Sequence, residues 1–504
     1  MIFYASCGPQ AEAFANQQNL KVVAHVKNTD FLWAVRKVWG RKILRNATFG
    51  LFSASPEFSA RHRILPAQAL VMFMGLIAIA TSMLQLPVSV TWAAANAIVG
   101  LFFLSVVALR LFCIMPGNKI KSPPPPPLSN EQLPLYSVLV PVFRETAVLK
   151  QLLQALSKLD YPKEKLDIKI IVEENDTGMR RMLENFRLPR HFEIIVVPQG
   201  KPQTKPRALN YALQFSRGEL LTIFDAEDIP EPDQLRLAAQ KFAVSSSRLA
   251  CLQARLIFFN ATENWLTRQF TAEYATLFGL ILPALSNANL PLLLGGTSNH
   301  FRIRALRAVG AWDPHNVTED ADLGLRLVRE GYHTCVLDSL TTEEANTQFV
   351  NWLKQRARWL KGFMQTWLVH MRNPFLLKKE IGLSGFWVMQ SCTAGIFLSA
   401  LFHPPLFGFA IWQFVQHPFL EPGAPLLASI LGGLNLVVFL IGYGVAILAA
   451  RKALHLRGLK GWRVTLATMP IYWLMMSLAA WLALWQFVFA PFKWNKTKHG
   501  LSKF

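Results

Sequence analysis

Residues 219–228 read E-L-L-T-I-F-D-A-E-D, and this stretch decides the fold. A short apolar run of strand character ends directly in Asp225, Glu227 and Asp228. A buried strand does this when it delivers polar groups to its carboxyl end. The same shape recurs upstream. Residues 136–142 (Y-S-V-L-V-P-V) read as a strand followed by Arg144 and Glu145, and residues 166–173 (L-D-I-K-I-I-V-E) as one ending at Glu173 and Glu174. Residues 192–197 and 249–258 read as further strands, with helices over 146–159 and 206–215. Short β-branched runs alternating with helices predict an α/β domain on a largely parallel, twisted sheet. Such sheets bind ligands outside the carboxyl ends of their strands, where the three polar clusters fall.

Each cluster has a chemistry and a plainer alternative. Carboxylates at i and i+2, Asp225 and Glu227, suit a hard divalent cation that bridges a diphosphate. Asp228 is a substitute for Glu227, and an acidic helix cap is the plain reading. Glu173 and Glu174 can accept hydrogen bonds from a base or a ribose. Lys205, Arg207 and Asn210 lie in T-K-P-R-A-L-N, a polar turn opening a helix, and helix N-termini attract phosphate. Residues 316–327 read N-V-T-E-D-A-D-L-G-L-R-L. Asp320 there suits a general base, while Asp322 better fits helix capping. In Q-R-A-R-W, Gln355, Arg358 and Trp359 stand at i, i+3 and i+4 and share one helical face. An arginine there can pair with a leaving diphosphate, and the indole can stack on a sugar ring.

The flanks are of another kind. Of 504 residues 52% are hydrophobic and 16% charged, too apolar for an ordinary soluble protein. The net charge is +21 and the pI about 10.0. With apolar spans present, that excess points to a membrane surface and an anionic substrate rather than nucleic acid. Five scattered cysteines without C-x-x-C spacing argue against zinc or a disulfide framework. No cleavable signal peptide is visible. Residues 30–51 read as a basic amphipathic helix on a membrane surface. Residues 65–86 and 90–115 are long and apolar enough to cross a bilayer, with Arg110 placed to snorkel to the interface. Pro123 to Pro127 form a stiff spacer. Residues 349–371 read as an interfacial helix. Apolar segments follow at 385–419, 425–450 and 464–492, the first interrupted at Pro404-Pro405 and the last at Pro470. A cytoplasmic basic tail requires the last segment to re-enter or cross twice.

The motifs P-V-F-R-E, V-E-E-N-D, T-K-P-R-A-L-N, F-D-A-E-D, T-E-D and Q-R-A-R-W occur in that order between Pro141 and Trp359. This order resembles the processive, membrane-embedded family 2 glycosyltransferases of the cellulose synthase-like and hyaluronan and chitin synthase-like kind. The resemblance implies a Rossmann-like GT-A catalytic domain over 135–345, inserted between N- and C-terminal transmembrane helices. It implies a cytoplasmic N-terminal region at 1–64, two spans at 65–115, a linker at 116–134 and interface helices at 346–384. A membrane cluster at 385–492 and a tail at 493–504 complete the expected division. The implied reaction is inverting polymerisation of a UDP-sugar, UDP-glucose as first choice, with Mg2+ or Mn2+, onto a growing polysaccharide passed through a multi-pass protein in the cell membrane. Single addition to a lipid carrier and a non-catalytic export role are the alternatives, and export or regulatory subunits are further partners.

Residue by residue, the resemblance assigns Glu145, Glu173, Glu174, Lys205, Asp225, Gln355 and Arg358 to the donor. It assigns Asp225 and Glu227 to the metal, Asp320 to the base, and Trp359, Glu319, Gly296 and Thr297 to the acceptor. Two departures stand out: Glu-Glu replaces the usual Asp at the first acidic site, and D-A-E replaces D-A-D at the metal site. The ending W-N-K-T-K-H-G also looks like a family tail, with Lys496, Lys498 and His499 able to approach a diphosphate. Trp387, Trp412, Trp473, Trp481 and Trp485 are candidates to line a polymer path.

Overall fold

The computed structural model describes residues 2–4, 22–25, 28–115, 125–416, 426–459, 461–494, 496 and 500–502. Part of the Pro-rich linker, and Lys498 and His499, lie outside them; so does the side chain of Trp412. An eight-stranded sheet carries the central domain. Its strands are β1 (Tyr136–Val142), β2 (Leu166–Glu173), β3 (Phe192–Val197), β4 (Leu220–Ile223), β5 (Ile229–Pro230), β6 (Leu249–Phe258), β7 (Asn299–Arg302) and β8 (His333–Glu343). Their order across the sheet is β3-β2-β1-β4-β7-β6-β8-β5. β7 runs antiparallel to β4 and β6, and β5 antiparallel to β8; the other pairings are parallel. This is a mostly parallel, GT-A-like sheet.

Strand alternation explains why both faces are covered. Val138, Val140 and Val142 of β1 point into one core with Leu149, Leu152 and Leu156. Leu139 points the other way, into a second core with Ile171, Ile195, Leu209 and Leu213. A parallel sheet buried on both faces reads as near-continuous apolar runs, as these do. The chain steps outward from β1 to β2 and β3, then returns to place β4 on the opposite side of β1. The strand order therefore reverses between β1 and β4, the point at which open α/β sheets bind ligands.

The N-terminal helix α1 (Asn28–Ala54) is not simply laid on a membrane. Arg36 pairs with Glu193, donates to the carbonyl of Ile194 at 3.3 Å and covers the Phe215 ring. Asn210, on α4 (Lys205–Leu213), donates to the carbonyl of Ala47 at 3.1 Å. Val35, Ile43 and Leu44 pack on the domain core, whereas Val38 and Trp39 face outward. The apolar positions of this helix thus divide between two faces.

Among the described residues four helical stretches are long and apolar enough to cross a membrane: Pro66–Gln85, Ala97–Ile114, Pro374–Pro404 and Met469–Phe489. The first, α2 (Pro66–Gln85), buries none of its apolar window against protein. The second lies within α3 (Val88–Ile114). Helix α5 (Trp265–Thr276) follows β6. Two helices already met as motifs link the sheet to these spans: α6 (Glu319–Arg329), which starts in T-E-D, and α7 (Phe349–His370), which carries Q-R-A-R-W. Beyond α7 come α8 (Pro374–Cys392), α9 (Ala394–Gln416), α10 (Leu426–Leu456) and α11 (Met469–Phe489). Helix α9 runs unbroken through Pro404-Pro405. Pro470 begins α11, in the first turn, where a missing N–H costs nothing.

The residues read as an interfacial helix form α7, which is packed within protein: Trp352, Arg356 and Lys361 are buried. Helix α11 packs along α7 through Ala479, Ala480 and Ala483. Both its ends bond next to the catalytic domain. Trp265 Nε1 donates to Thr468 Oγ1 at 2.8 Å, and Lys361 Nζ donates to the carbonyls of Ala490 at 3.3 Å and Lys493 at 2.8 Å. The tail accordingly returns to the catalytic domain.

Candidate active site

A cavity of about 850 Å³ opens at the carboxyl end of the sheet and continues between the apolar helices. At its sheet end it is lined by Glu145 after β1, Glu173 of β2, Asp225 and Glu227 after β4, and Gly296 and Thr297 before β7. Lys205, Glu319, Asp320, Gln355, Arg358 and Trp359 complete this chamber. All the residues assigned from sequence therefore converge on one space except Glu174, which is exposed and accepts the backbone N–H of Gln199 at 3.0 Å. Alternation separates the pair: β2 turns Glu173 inward and Glu174 outward.

The acidic turn after β4 sorts its three carboxylates. Asp228 is fully buried and accepts the backbone N–H of Asp225 at 2.7 Å and the hydroxyl of Thr297. It shapes the turn, and Asp225 and Glu227 face the cavity instead. Lys205 pairs with Asp225 and donates to the carbonyl of Gly296 at 2.7 Å. Burial, with the charges of Asp225 and Glu145 beside it, pushes Glu227 well above the usual carboxylate range. Burial and the same acidic turn do so for Glu343. Crowded hard oxygen donors with too little counter-charge fit a divalent cation. Arg207 and Asn210, in contrast, are structural. Arg207 is buried and donates to Glu173 at 2.5 Å, and Asn210 also donates to the carbonyl of Trp312 at 2.7 Å.

The T-E-D turn is sewn to α7. Asn316 donates to Thr366 at 2.9 Å, and the Val317 N–H donates to Gln365 at 3.1 Å. A Cβ on Gly362 would stand 2.4 Å from Thr318, so only glycine lets the two segments approach this closely. Asp322 accepts from Arg326 Nε at 2.8 Å and sits 3.1 Å from His370 Nε2. Burial pulls its carboxyl upward, yet Arg326 and His370 outweigh this and hold it below the usual range. Its structural role is therefore ion pairing rather than capping. Asp320, two residues earlier, accepts the Ala321 N–H at 2.8 Å and lines the cavity. Burial raises its pKa against the pull of that N–H, Lys205 and Arg358. Burial and the Asp320 charge push Glu319 up to about 8.

Three further residues order Q-R-A-R-W. Arg356 was passed over in the motif, yet it donates to both oxygens of Glu273, at 2.7 and 2.6 Å. Its guanidinium lies 4.7 Å from the Trp359 ring centroid. Tyr274 stacks on Trp359 at 6.3 Å and 26°. Nothing in the sequence announces Glu273 or Tyr274, since both meet α7 from 83 and 85 positions upstream. Gln355 accepts from Asn346 at 2.8 Å. Arg358 faces Glu319, Asp320 and Asp225 and covers the ring of Trp494 at 4.6 Å. Lys496 sits 3.1 Å from Glu145. The N–H groups of Leu501 and Ser502 bond Glu344 at 2.8 and 2.6 Å. Of the candidate path aromatics whose side chains are described, only Trp473 lines the cavity, with Tyr443 and His403. Trp481 and Trp485 are 54% and 63% exposed on the outer face of α11, as in an interfacial belt, and Trp387 is half-buried beside Leu383 and Ser384.

An open, mostly parallel α/β sheet with acidic and basic groups converging at its switch point is the architecture of enzymes that bind nucleotide-linked substrates. Comparison with known proteins gives the narrower class. Residues 134–362 match the family described as "Glycosyltransferase like family 2", and with the relatives that follow this match supports a glycosyltransferase. A probable glycosyltransferase, YdaM, of Bacillus subtilis is 25% identical over 50% of this chain and 60% of its own length. A β-monoglucosyldiacylglycerol synthase of Synechocystis is 29% identical over 57% and 60%. Cellulose synthase 2 of Novacetimonas hansenii is 28% identical over 58% of this chain and 18% of its own. The chain spans about 60% of the length of the first two relatives.

Proposed function

We propose that the protein is a processive, inverting glycosyltransferase that polymerises a UDP-sugar, UDP-glucose first, on the cytoplasmic face of the cell membrane and feeds the product between its own apolar helices. The observation that carries this reading is the single cavity joining Asp320 and Asp225 to a wall of Trp473, Tyr443 and His403. The acceptor hydroxyl gives its proton to Asp320 as it attacks the anomeric carbon. Arg358 and Lys205 stabilise the departing diphosphate, Glu173 and Glu145 face the donor, and Gln355 helps hold it. Trp359, propped by Tyr274 and Arg356, stacks on the acceptor sugar, beside Glu319, Gly296 and Thr297. Asp225 and Glu227 would hold Mg2+ or Mn2+, which when bound offsets diphosphate charge. The cytoplasmic assignment rests on charge. Arg36, Arg457, Lys493 and Lys496 are on the side of the catalytic domain, as the positive-inside bias requires.

A second reading, single addition to a lipid acceptor, draws on the apolar wall formed by Val99, Phe103, Val106, Ile396 and Ala446 and on the resemblance to a glucolipid synthase. Purified full-length protein, a panel of UDP-sugars and Mg2+ separate the two. High-mass glycan supports processive synthesis and a one-sugar lipid supports the second reading. Absence of UDP release with every donor contradicts both.

A further inference from the structure

Arg110 lies about one turn from the end of α3. An arginine there is expected to snorkel away from hydrocarbon, but it turns inward and lines the cavity. Its guanidinium offers five donors, and it makes no hydrogen bond or ion pair with any described residue. The Cys113 and Cys392 thiols line the cavity with it, and Glu273 is the carboxylate that acts on it. Glu273 is already committed: Arg356 takes both its oxygens, and the Tyr472 hydroxyl donates to it at 2.7 Å. Around Arg110, then, two guanidiniums share one carboxylate, and burying a cation without a partner is costly.

The wall on either side of Arg110 differs in character. Toward the sheet stand Trp359 and Asp320; on the helix side Val99, Phe103, Val106, Ile396 and Ala400 line the wall, with Ser399, Tyr443 and His403 set among them. A ring-stacking surface, a cation and a mostly apolar surface thus share a single cavity. A sugar, a phosphate and an aliphatic chain joined in one molecule match these three surfaces.

We propose that Arg110 binds the phosphate of a lipid-linked acceptor, whose chain lies along the apolar wall and whose terminal sugar reaches Asp320. This rests on the reading of the chamber as a glycosyl-transfer site and concerns the first acceptor, before any chain has grown. A carboxylated glycan would satisfy the guanidinium and leave the apolar wall without a partner, so the lipid phosphate fits better.

The test uses full-length protein in phosphatidylcholine nanodiscs, with geranylgeranyl phosphate, geranylgeraniol, inorganic phosphate and a glucuronate oligosaccharide as probes. Geranylgeranyl phosphate should bind wild type about tenfold or more tighter than the alcohol, as expected of a charge-assisted guanidinium contact. Arg110→Gln should reduce that preference to about twofold or less, and Arg110→Lys, which keeps charge but not the planar fork, should retain part of it. UDP binding by both variants reports an intact fold. Equal binding of phosphate and alcohol by wild type overturns the proposal, as does an unchanged preference in both variants. Inorganic phosphate or the oligosaccharide binding more tightly than the prenyl phosphate overturns it too, by assigning Arg110 to a free anion or to a glycan carboxylate. Arg110-dependent prenyl phosphate binding without UDP release from any donor leaves the site standing and removes the transfer reading.

Discussion

The two ends of the cavity are built on opposite terms. The sheet end crowds Asp225, Glu227, Glu319, Asp320 and Glu343 around Lys205 and Arg358, on strand ends and helix starts held by buried hydrogen bonds. The membrane end is mostly apolar, with Arg110 and the Trp473, Tyr443 and His403 group set into it. Chemistry needs fixed charges aimed at the charge that develops in the transition state. Passage or anchoring of an acceptor needs a wall that holds it loosely. Joining the two is α7, whose Gly362 admits the T-E-D turn on one side while its Trp359 faces the cavity.

If the charged end performs the chemistry, changes there should cost rate without emptying the donor site. Asp320→Asn should lower kcat by about 10³-fold, near the middle of the range for losing a general base, with UDP-sugar binding kept by calorimetry. An active variant would remove Asp320 from this role. Arg358→Ala should cost about 10²-fold or more in kcat, the scale for one stabilising donor, measured by UDP release. Gly362→Ala forces Thr318 aside, and overpacking of this kind costs about 1–3 kcal/mol. It should lower both the melting temperature and kcat, and an unchanged protein would mean that the two segments need not approach so closely.

The pH profile sharpens the contrast further. Burial raises Asp320, and a base works only when deprotonated, so kcat/KM should fall as pH drops through that raised value. The acid limb should therefore lie above the ordinary aspartate range of about 4, and a profile flat down to pH 4 would contradict the assignment.

The same contrast explains what could be read from sequence. The five strands from 136 to 258 were legible because buried parallel strands write continuous apolar runs. Short β7, and β5 with only two residues, left no such trace. Asp225, Asp320 and Arg358 could be named because each sits in a local motif. The structural task of Asp228 and the Glu273–Arg356 pair depend on partners 69 and 83 positions away, beyond any local pattern. Arg110 was misread for the same reason: its position along the span was visible, but the direction it faces is set by the packing of α3 against other helices.

The central claim, that both ends form one path, is tested most directly by placing bulk in its membrane half. Gly442 lines that half, and the length of glycan made by Gly442→Trp can be compared with wild type at equal UDP release. The account predicts markedly shorter chains from the variant. Chains of wild-type length would show that the product does not travel between the apolar helices.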